Sequence, residues 1–117
     1  MKNQAFHRRL GYALAGIREG LVREQSFRIQ SLAGVVVIAA LVLLRPTPIW
    51  WAIFVFLIFS ILALELMNTA LERLVDRLHP GQHESIRLAK DCAAGAVLLM
   101  SFASVIIFAI FLWERLA

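Results

Sequence analysis

Charge and apolarity are separated by position in this chain, and that separation limits its fold more than any other feature. Almost every Asp, Glu, Lys and Arg lies in residues 1–28 and 72–91, while three long apolar runs fill the rest of the 117 residues. A soluble helical domain must spread charge along each helix to cover its surface. A chain that is 61% hydrophobic, against the roughly 45–50% of soluble domains, is expected to have lipid as the solvent for most of its length. The first run, Ile29 to Leu44, is broken only by Gln30 and Ser31 and ends at Arg45-Pro46-Thr47-Pro48. It is short for a crossing of about 20 residues, so it is expected to borrow flanking residues or thin the bilayer. The second run, Ile49 to Met67, holds only Ser60 and Glu65 as polar residues, and its helical pattern continues through Leu71, Leu74, Val75 and Leu78 to a stop at His79-Pro80-Gly81. The third, Ala93 to Trp113, contains only Ser101 and Ser104. The expected spans are therefore about 29–46, 49–69 and 92–113.

Before them, Phe6, Leu10, Leu14, Ile17 and Leu21 recur at helical spacing, with Arg8, Arg9, Arg18 and Glu19 largely on other faces. The pattern predicts an amphipathic helix over about 4–24, lying in the membrane interface. Residues 1–28 lack a continuous apolar stretch of the signal-peptide kind and are expected to remain in the mature protein. The chain reads as an all-α integral membrane protein of one domain, residues 1–117: a surface helix plus three transmembrane helices. Orientation follows from the basic residues. Lys2, Arg8, Arg9, Arg18, Arg23 and Arg28, with Arg73, Arg77, Arg87 and Lys90, outweigh Arg45 and Arg115, which puts residues 1–28 and 72–91 in the cytoplasm. The same flanking positions account for the net charge of +4 without nucleic acid, since no basic run is interleaved with aromatics. Cys92 is the single cysteine, so no intramolecular disulfide forms. Trp50 and Trp51 stand where an interfacial aromatic belt belongs. Gly34, Ala39, Ala40 and the run Ala93 to Ala96 offer small surfaces for close helix packing, as an oligomer requires.

The informative segment is 65–76. At about 100° per residue, Asn68, Glu72 and Asp76 lie within roughly 60° of Glu65 around the helix, so four polar groups form one stripe descending from the membrane to the cytoplasm. A carboxylate at Glu65's depth costs several kcal/mol unless it is neutral, paired or facing a wet cavity. One reading is a neutral acid bonded to a neighbouring helix. The company of Asn68, Glu72 and Asp76 favours a functional one, such as a general base. Glu72 and Asp76 have a bland reading, as solvated partners of Arg73 and Arg77, and a sharper one, as interface carboxylates that hold magnesium on a nucleotide. Glu24, just before the first span, is either an i,i+4 partner of Arg28 or a second metal ligand. Lys90-Asp91 brings an ammonium and a further carboxylate to the same depth, either as a snorkelling lysine or as a phosphate contact. No Gly-x-x-x-x-Gly-Lys-[Ser/Thr] loop and no Gly-rich kinase loop is present, so a nucleotide site here is of another type. His79 and His83 flank a Pro-Gly turn without cysteine partners, which argues against zinc.

Glu-Leu-Met-Asn-Thr-Ala-Leu-Glu at 65–72, Val-Asp at 75–76 and Ala-Lys-Asp-Cys-Ala-Ala-Gly-Ala-Val-Leu at 89–98 resemble the signature of the prokaryotic diacylglycerol kinase family, which includes undecaprenol kinases. The likeness runs collinearly over about residues 5–113. It implies a homotrimer of three-span protomers in the bacterial inner membrane, with a cytoplasmic N-terminus and active sites between protomers. It also implies transfer of the ATP γ-phosphate, with Mg2+, to the hydroxyl of diacylglycerol, or of undecaprenol as the alternative acceptor. On this resemblance Glu65 is the general base and Asn68 orients it; Glu24 and Glu72 hold magnesium. Tyr12, Glu24, Glu72, Asp76, His83, Lys90 and Asp91 line the ATP site, and Glu65, Arg28 and Trp113 meet the lipid. Three positions depart from the family pattern. Ala5 stands where an early basic residue is common, which Arg8 or Arg9 would replace. Residues 80–82 lack an acidic residue, and Gln30 stands where diacylglycerol-specific members often carry a carboxylate. From another class, a proton-coupled transporter subunit would use Glu65 alone, and a non-catalytic scaffold would have no use for it.

Overall fold

The computed structural model describes residues 3–117; Lys2, counted above among the cytoplasmic positive charges, lies outside them. Four helices and no strand make up the described residues: α1 Phe6–Arg23, α2 Gln25–Leu44, α3 Pro48–Leu78 and α4 Glu84–Leu116. The last three are long and apolar enough to cross a membrane.

Each break between helices has a local cause. Only Glu24 separates α1 from α2; its extended backbone (φ −109°, ψ 111°) ends one helix and begins the next. Arg45 ends α2 in the left-handed region (φ 50°), its N–H bonding Leu41 O at 2.9 Å, and Pro46 follows where the helix cannot continue. Pro48 opens α3 at a first-turn position, where its missing N–H costs nothing. His83 opens α4, its Nδ1 accepting from the Ser85 N–H at 3.1 Å.

The expected boundaries shift accordingly. The surface helix begins at Phe6 rather than residue 4. The helix of the first span starts at Gln25 and stops at Leu44, a 20-residue element of about 30 Å, so the short apolar run is extended by flanking residues, one of the two expected solutions. Gln25, Ser26 and Arg28, polar residues outside the apolar run, form the first turn of this helix together with the buried Phe27. α3 runs 31 residues without interruption, about 46 Å, and so projects well past a bilayer core of about 30 Å.

α3 is the central element, touching α1, α2 and α4. It packs antiparallel to α4, with contacts at both ends: the Asp76–Lys90 ion pair at one and the Trp50–Glu114 hydrogen bond at the other. Near the second end, Leu41, Phe54, Leu57 and Phe111 are buried together. The rings of Trp50, Phe54, Phe108 and Phe111 meet there edge-on or tilted, with centroids 5.0–6.2 Å apart. Elsewhere the spans leave apolar side chains exposed, among them Leu32, Val35, Phe56, Phe59, Leu99 and Phe102, as helices facing lipid or further helices do.

Two glycines set how closely the helices approach. A Cβ at Gly34 would lie 2.9 Å from Ile58 Cγ2, and one at Gly20 would lie 2.9 Å from Leu66 Cδ2 and 3.0 Å from Phe27 Cδ2. Gly34 thus lets α2 lie on α3. Gly20 seats the end of α1 over Leu66, the neighbour of Glu65.

Candidate functional site

The stripe on α3 is a gradient of burial. Glu65 is only 6% exposed, Asn68 and Glu72 are half-buried, and Asp76 is exposed. The order follows from one helix leaving the packed part of the bundle for the open end of the α3–α4 hairpin. Asn68 Oδ1 is buried and receives no hydrogen bond among the described residues, an acceptor left open one turn from Glu65. Such an atom costs about 1–3 kcal/mol unless a donor arrives.

At the open end, Lys90 Nζ bonds Asp76 Oδ1 at 2.6 Å. That bond is the main reason the Lys90 ammonium is held above the ordinary lysine pKa, and the charge of Glu72 contributes as well. Glu72 and Asp76 of α3 and Lys90 of α4 therefore share one electrostatic neighbourhood. Asp91 is held by Arg87, its Oδ2 3.0 Å from Nη1. Arg87 also bonds Glu84, so the first turns of α4 carry their own ion-pair chain.

Glu24 reaches the site from the α1–α2 break. Its Oε1 accepts from Arg73 Nη2 at 2.8 Å, while Arg73 Nη1 lies 3.5 Å from Glu19 Oε1 and Arg23 Nε lies 2.6 Å from the same oxygen. Two pairings expected from spacing are thereby replaced. Glu24 does not pair with Arg28, because the Arg28 guanidinium turns back to cap α1, donating to Val22 O at 2.8 Å and Leu21 O at 3.3 Å. Arg73 and Arg77 are not the partners of Glu72 and Asp76, since Arg73 serves Glu19 and Glu24, and Asp76 serves Lys90.

The structure thus gathers Glu65, Asn68, Glu72, Asp76, Lys90 and Glu24 at one end of the bundle. Asp91 lies beside Lys90 in sequence and is tied to Arg87, and His83 sits at the α4 N-terminus as its cap. Tyr12 is exposed in mid-α1, and among the described residues no hydrogen bond joins its side chain to the cluster. Trp113 is not brought to it within one chain. It is exposed and stands next to Glu114 at the aromatic end, about 34 Å along α4 from Lys90 at 1.5 Å per residue. Arg28 is near, but its guanidinium is spent on the α1 carbonyls. Sequence reasoning missed Arg73 as a site residue. The signal was a cation on α3 directly after Glu72, read from the sequence as a cytoplasmic flanking charge and a partner of the neighbouring carboxylates.

The donor chemistry suits magnesium carried on a nucleotide. Glu24 and Glu72 offer hard oxygen donors, and Mg2+ in nucleotide sites takes one or two carboxylates with phosphate oxygens and water completing its shell. Among the described residues no three or more His, Cys, Asp or Glu converge, so an all-protein cage for a bare ion is not what the cluster offers.

A cleft of about 340 Å³ opens between α2, α3 and α4 on the membrane side of the cluster, walled by apolar side chains with Gln30, Ser101 and Ser104 as its polar points.

Comparison with known proteins agrees with the arrangement. Residues 11–112 match the family model of prokaryotic diacylglycerol kinase. A diacylglycerol kinase of Synechocystis is 46% identical over 98 residues, covering 82% of this chain and 55% of that protein, so the chain spans about half of that relative's length. The undecaprenol kinase of Bacillus subtilis is 36% identical over 102 residues, 87% of this chain and 83% of its own. The diacylglycerol kinase of Escherichia coli K12 is 29% identical over 105 residues, 90% of this chain and 86% of its own. A family match over nearly the whole chain, joined to three membrane-crossing helices and the Glu65 to Lys90 cluster, means that the chain belongs to the prokaryotic diacylglycerol kinase family of lipid kinases.

Proposed function

We propose that this protein transfers the γ-phosphate of ATP to the hydroxyl of diacylglycerol at the cytoplasmic face of the bacterial inner membrane, yielding phosphatidic acid. One observation carries the reading: a single helix face runs from the buried Glu65 carboxylate to the exposed Asp76, which is joined to Lys90 at 2.6 Å. On this reading Glu65 is a base at lipid depth and Lys90 a phosphate-binding charge at aqueous depth.

In this mechanism the lipid hydroxyl enters from the bilayer and donates to Glu65. Asn68, one turn along the same face, orients the Glu65 carboxylate, with its side-chain amide N–H as the donor. As the hydroxyl oxygen forms its bond to the γ-phosphorus, its proton passes to Glu65, and the bond from phosphorus to the departing ADP oxygen breaks. Glu24 and Glu72 would hold the magnesium, which supplies charge neutralisation on the phosphates. Lys90, with Tyr12, Asp76, His83 and Asp91 around the nucleotide, adds a fixed positive charge. Phosphoryl transfer asks chiefly for positioning and charge stabilisation, so this short roster is sufficient.

α1, with Phe6, Leu10, Leu14, Ile17 and Leu21 all exposed, is read as the amphipathic helix resting in the interface, its N-terminus cytoplasmic. The exposed apolar faces of α2 and α4 are consistent with a homotrimer whose sites form between protomers, and in that assembly Tyr12 and Trp113 would serve a neighbour's site. Undecaprenol is the second reading of the acceptor, favoured by one observation: an uncharged Gln30 lines the cleft.

The test is purified protein in mixed micelles with labelled ATP, magnesium and a panel of lipid alcohols. Label in diacylglycerol above all other acceptors is expected. Preferential labelling of undecaprenol replaces the acceptor, and labelling of none removes the kinase reading.

A further inference from the structure

The α1–α2 break is one residue long, and that residue, Glu24, is also the carboxylate offered to the nucleotide's metal. Its placement therefore depends on what fixes the angle between the two helices. Three contacts do so. Gly20 seats α1 against Leu66 and Phe27, Arg28 caps the α1 carbonyls from α2, and Arg73 reaches from α3 with one arm to Glu24 and the other toward Glu19. The first holds the end of α1 on α3 by packing at Leu66, but only the third reaches the Glu24 side chain itself from the helix that carries Glu65 and Glu72. A guanidinium suits the task because its two arms are rigidly oriented and serve two carboxylates at once, which an ammonium on a flexible stem does not match.

We propose that Arg73 is a positioning residue: its guanidinium ties Glu19 of α1 and Glu24 of the α1–α2 break to α3, and so holds the Glu24 carboxylate beside Glu72 where the nucleotide's metal is bound. The inference rests on the kinase reading of the site. Arg73 follows Glu72 directly, so a fork extended toward Glu24 draws the two metal-binding carboxylates to one level without itself touching the reacting atoms. Without it, α1 keeps its helix and its seat at Gly20, but Glu24 turns freely about the break.

The experiment compares wild type, Arg73→Gln, Arg73→Lys and Glu19→Gln in micelles by amide hydrogen exchange of residues 6–24 without nucleotide, and by steady-state kinetics with Mg·ATP varied at saturating lipid. Both arms are partly exposed, so the effect is the modest one of exposed ion pairs. Arg73→Gln should speed exchange near residues 19–24 by about threefold and raise KM for Mg·ATP by at least as much, with kcat within twofold. Arg73→Lys and Glu19→Gln should fall between it and wild type. Unchanged exchange in Arg73→Gln overturns the proposal. So does a raised KM without faster exchange, which would make Arg73 a direct phosphate contact, and so does a lowered KM, which would make it a competitor of the metal. A wild type that labels no lipid instead defeats the kinase reading, while the exchange comparison still judges the tie.

Discussion

Replacing Gly20 by alanine tests whether α1 is held at the site by close approach, and Gly16→Ala supplies the control. Both glycines lie in the same helix, and helix propensity favours alanine by about 1 kcal/mol at each. Their surroundings differ. A Cβ at Gly16 meets nothing within 4 Å, whereas at Gly20 it falls 2.9 Å from Leu66 Cδ2, 3.0 Å from Phe27 Cδ2 and 3.3 Å from Phe27 Cγ. The leucine methyl is the free end of a flexible chain and yields. The Phe27 ring is 3% exposed and has little room, so α1 must lift or the ring must leave its rotamer. Such overpacking costs about 1–3 kcal/mol. Gly16→Ala should therefore stabilise by up to about 1 kcal/mol, and Gly20→Ala should destabilise by about 0–2 kcal/mol after the propensity gain is set against the clash. Thermal unfolding of the two variants in one detergent measures the difference. Because Glu24 follows Gly20 by one helical turn, Gly20→Ala should also lower kcat/KM for Mg·ATP, and Gly16→Ala should not. Equal stability changes in the two variants would refute the close-approach argument.

Glu72→Gln and Glu24→Gln should each raise the magnesium concentration needed for half-maximal rate while leaving unfolding temperature nearly unchanged; wild-type turnover at low magnesium in either would remove it as a metal ligand. The Asp76 bond raises the Lys90 pKa, so the pair's stabilisation is fully present below the ordinary lysine value of 10.5 and is lost as pH rises through the higher folded value. Lys90→Met should flatten that alkaline fall in unfolding temperature, and an unchanged profile would show that the pair contributes nothing measurable. A reporter fused after Ala117 should lie on the periplasmic side, and a protease site inserted near Gln82 should be cut only from the cytoplasm; cleavage from outside would reverse the orientation.

Much of this architecture was legible along the chain because its two strongest signals are local. Apolar runs of bilayer length mark helices whatever their neighbours, and the stripe from Glu65 to Asp76 follows from helical spacing alone. The continuation of α3 to Leu78 was visible for the same reason, since the apolar residues 71, 74, 75 and 78 keep the period. Partner choice was not visible. Glu24 and Arg28 have the spacing of an intrahelical pair, yet the helix breaks at Glu24, which frees Arg28 to cap α1 and leaves Glu24 to α3. Likewise Arg73 is 49 residues from Glu24, and only the crossing of α1 and α3 at Gly20 and Leu66 brings them together. The start of α2 at Gln25 was obscured by composition: hydropathy reports where lipid begins, and this helix begins before it. The separation of Trp113 from Glu65 within one chain needed only the antiparallel α3–α4 pairing, and the spans already implied it.

The central claim is that Glu65 accepts the lipid's proton while other residues hold the nucleotide, and Glu65→Gln measures it most directly. Glutamine keeps the size and a hydrogen-bonding end but cannot take the proton. In one purified preparation, lipid phosphorylation, affinity for a magnesium-bound non-hydrolysable ATP analogue and thermal stability are measured beside wild type. The rate should fall by roughly 10²–10⁴-fold, the usual worth of general-base catalysis. Nucleotide affinity should hold within about twofold, and stability should be equal or higher, because a carboxylate at membrane depth is itself costly. Phosphorylation at the wild-type rate would contradict the account by taking Glu65 out of the chemistry, and joint loss of nucleotide binding and stability would make it a structural residue.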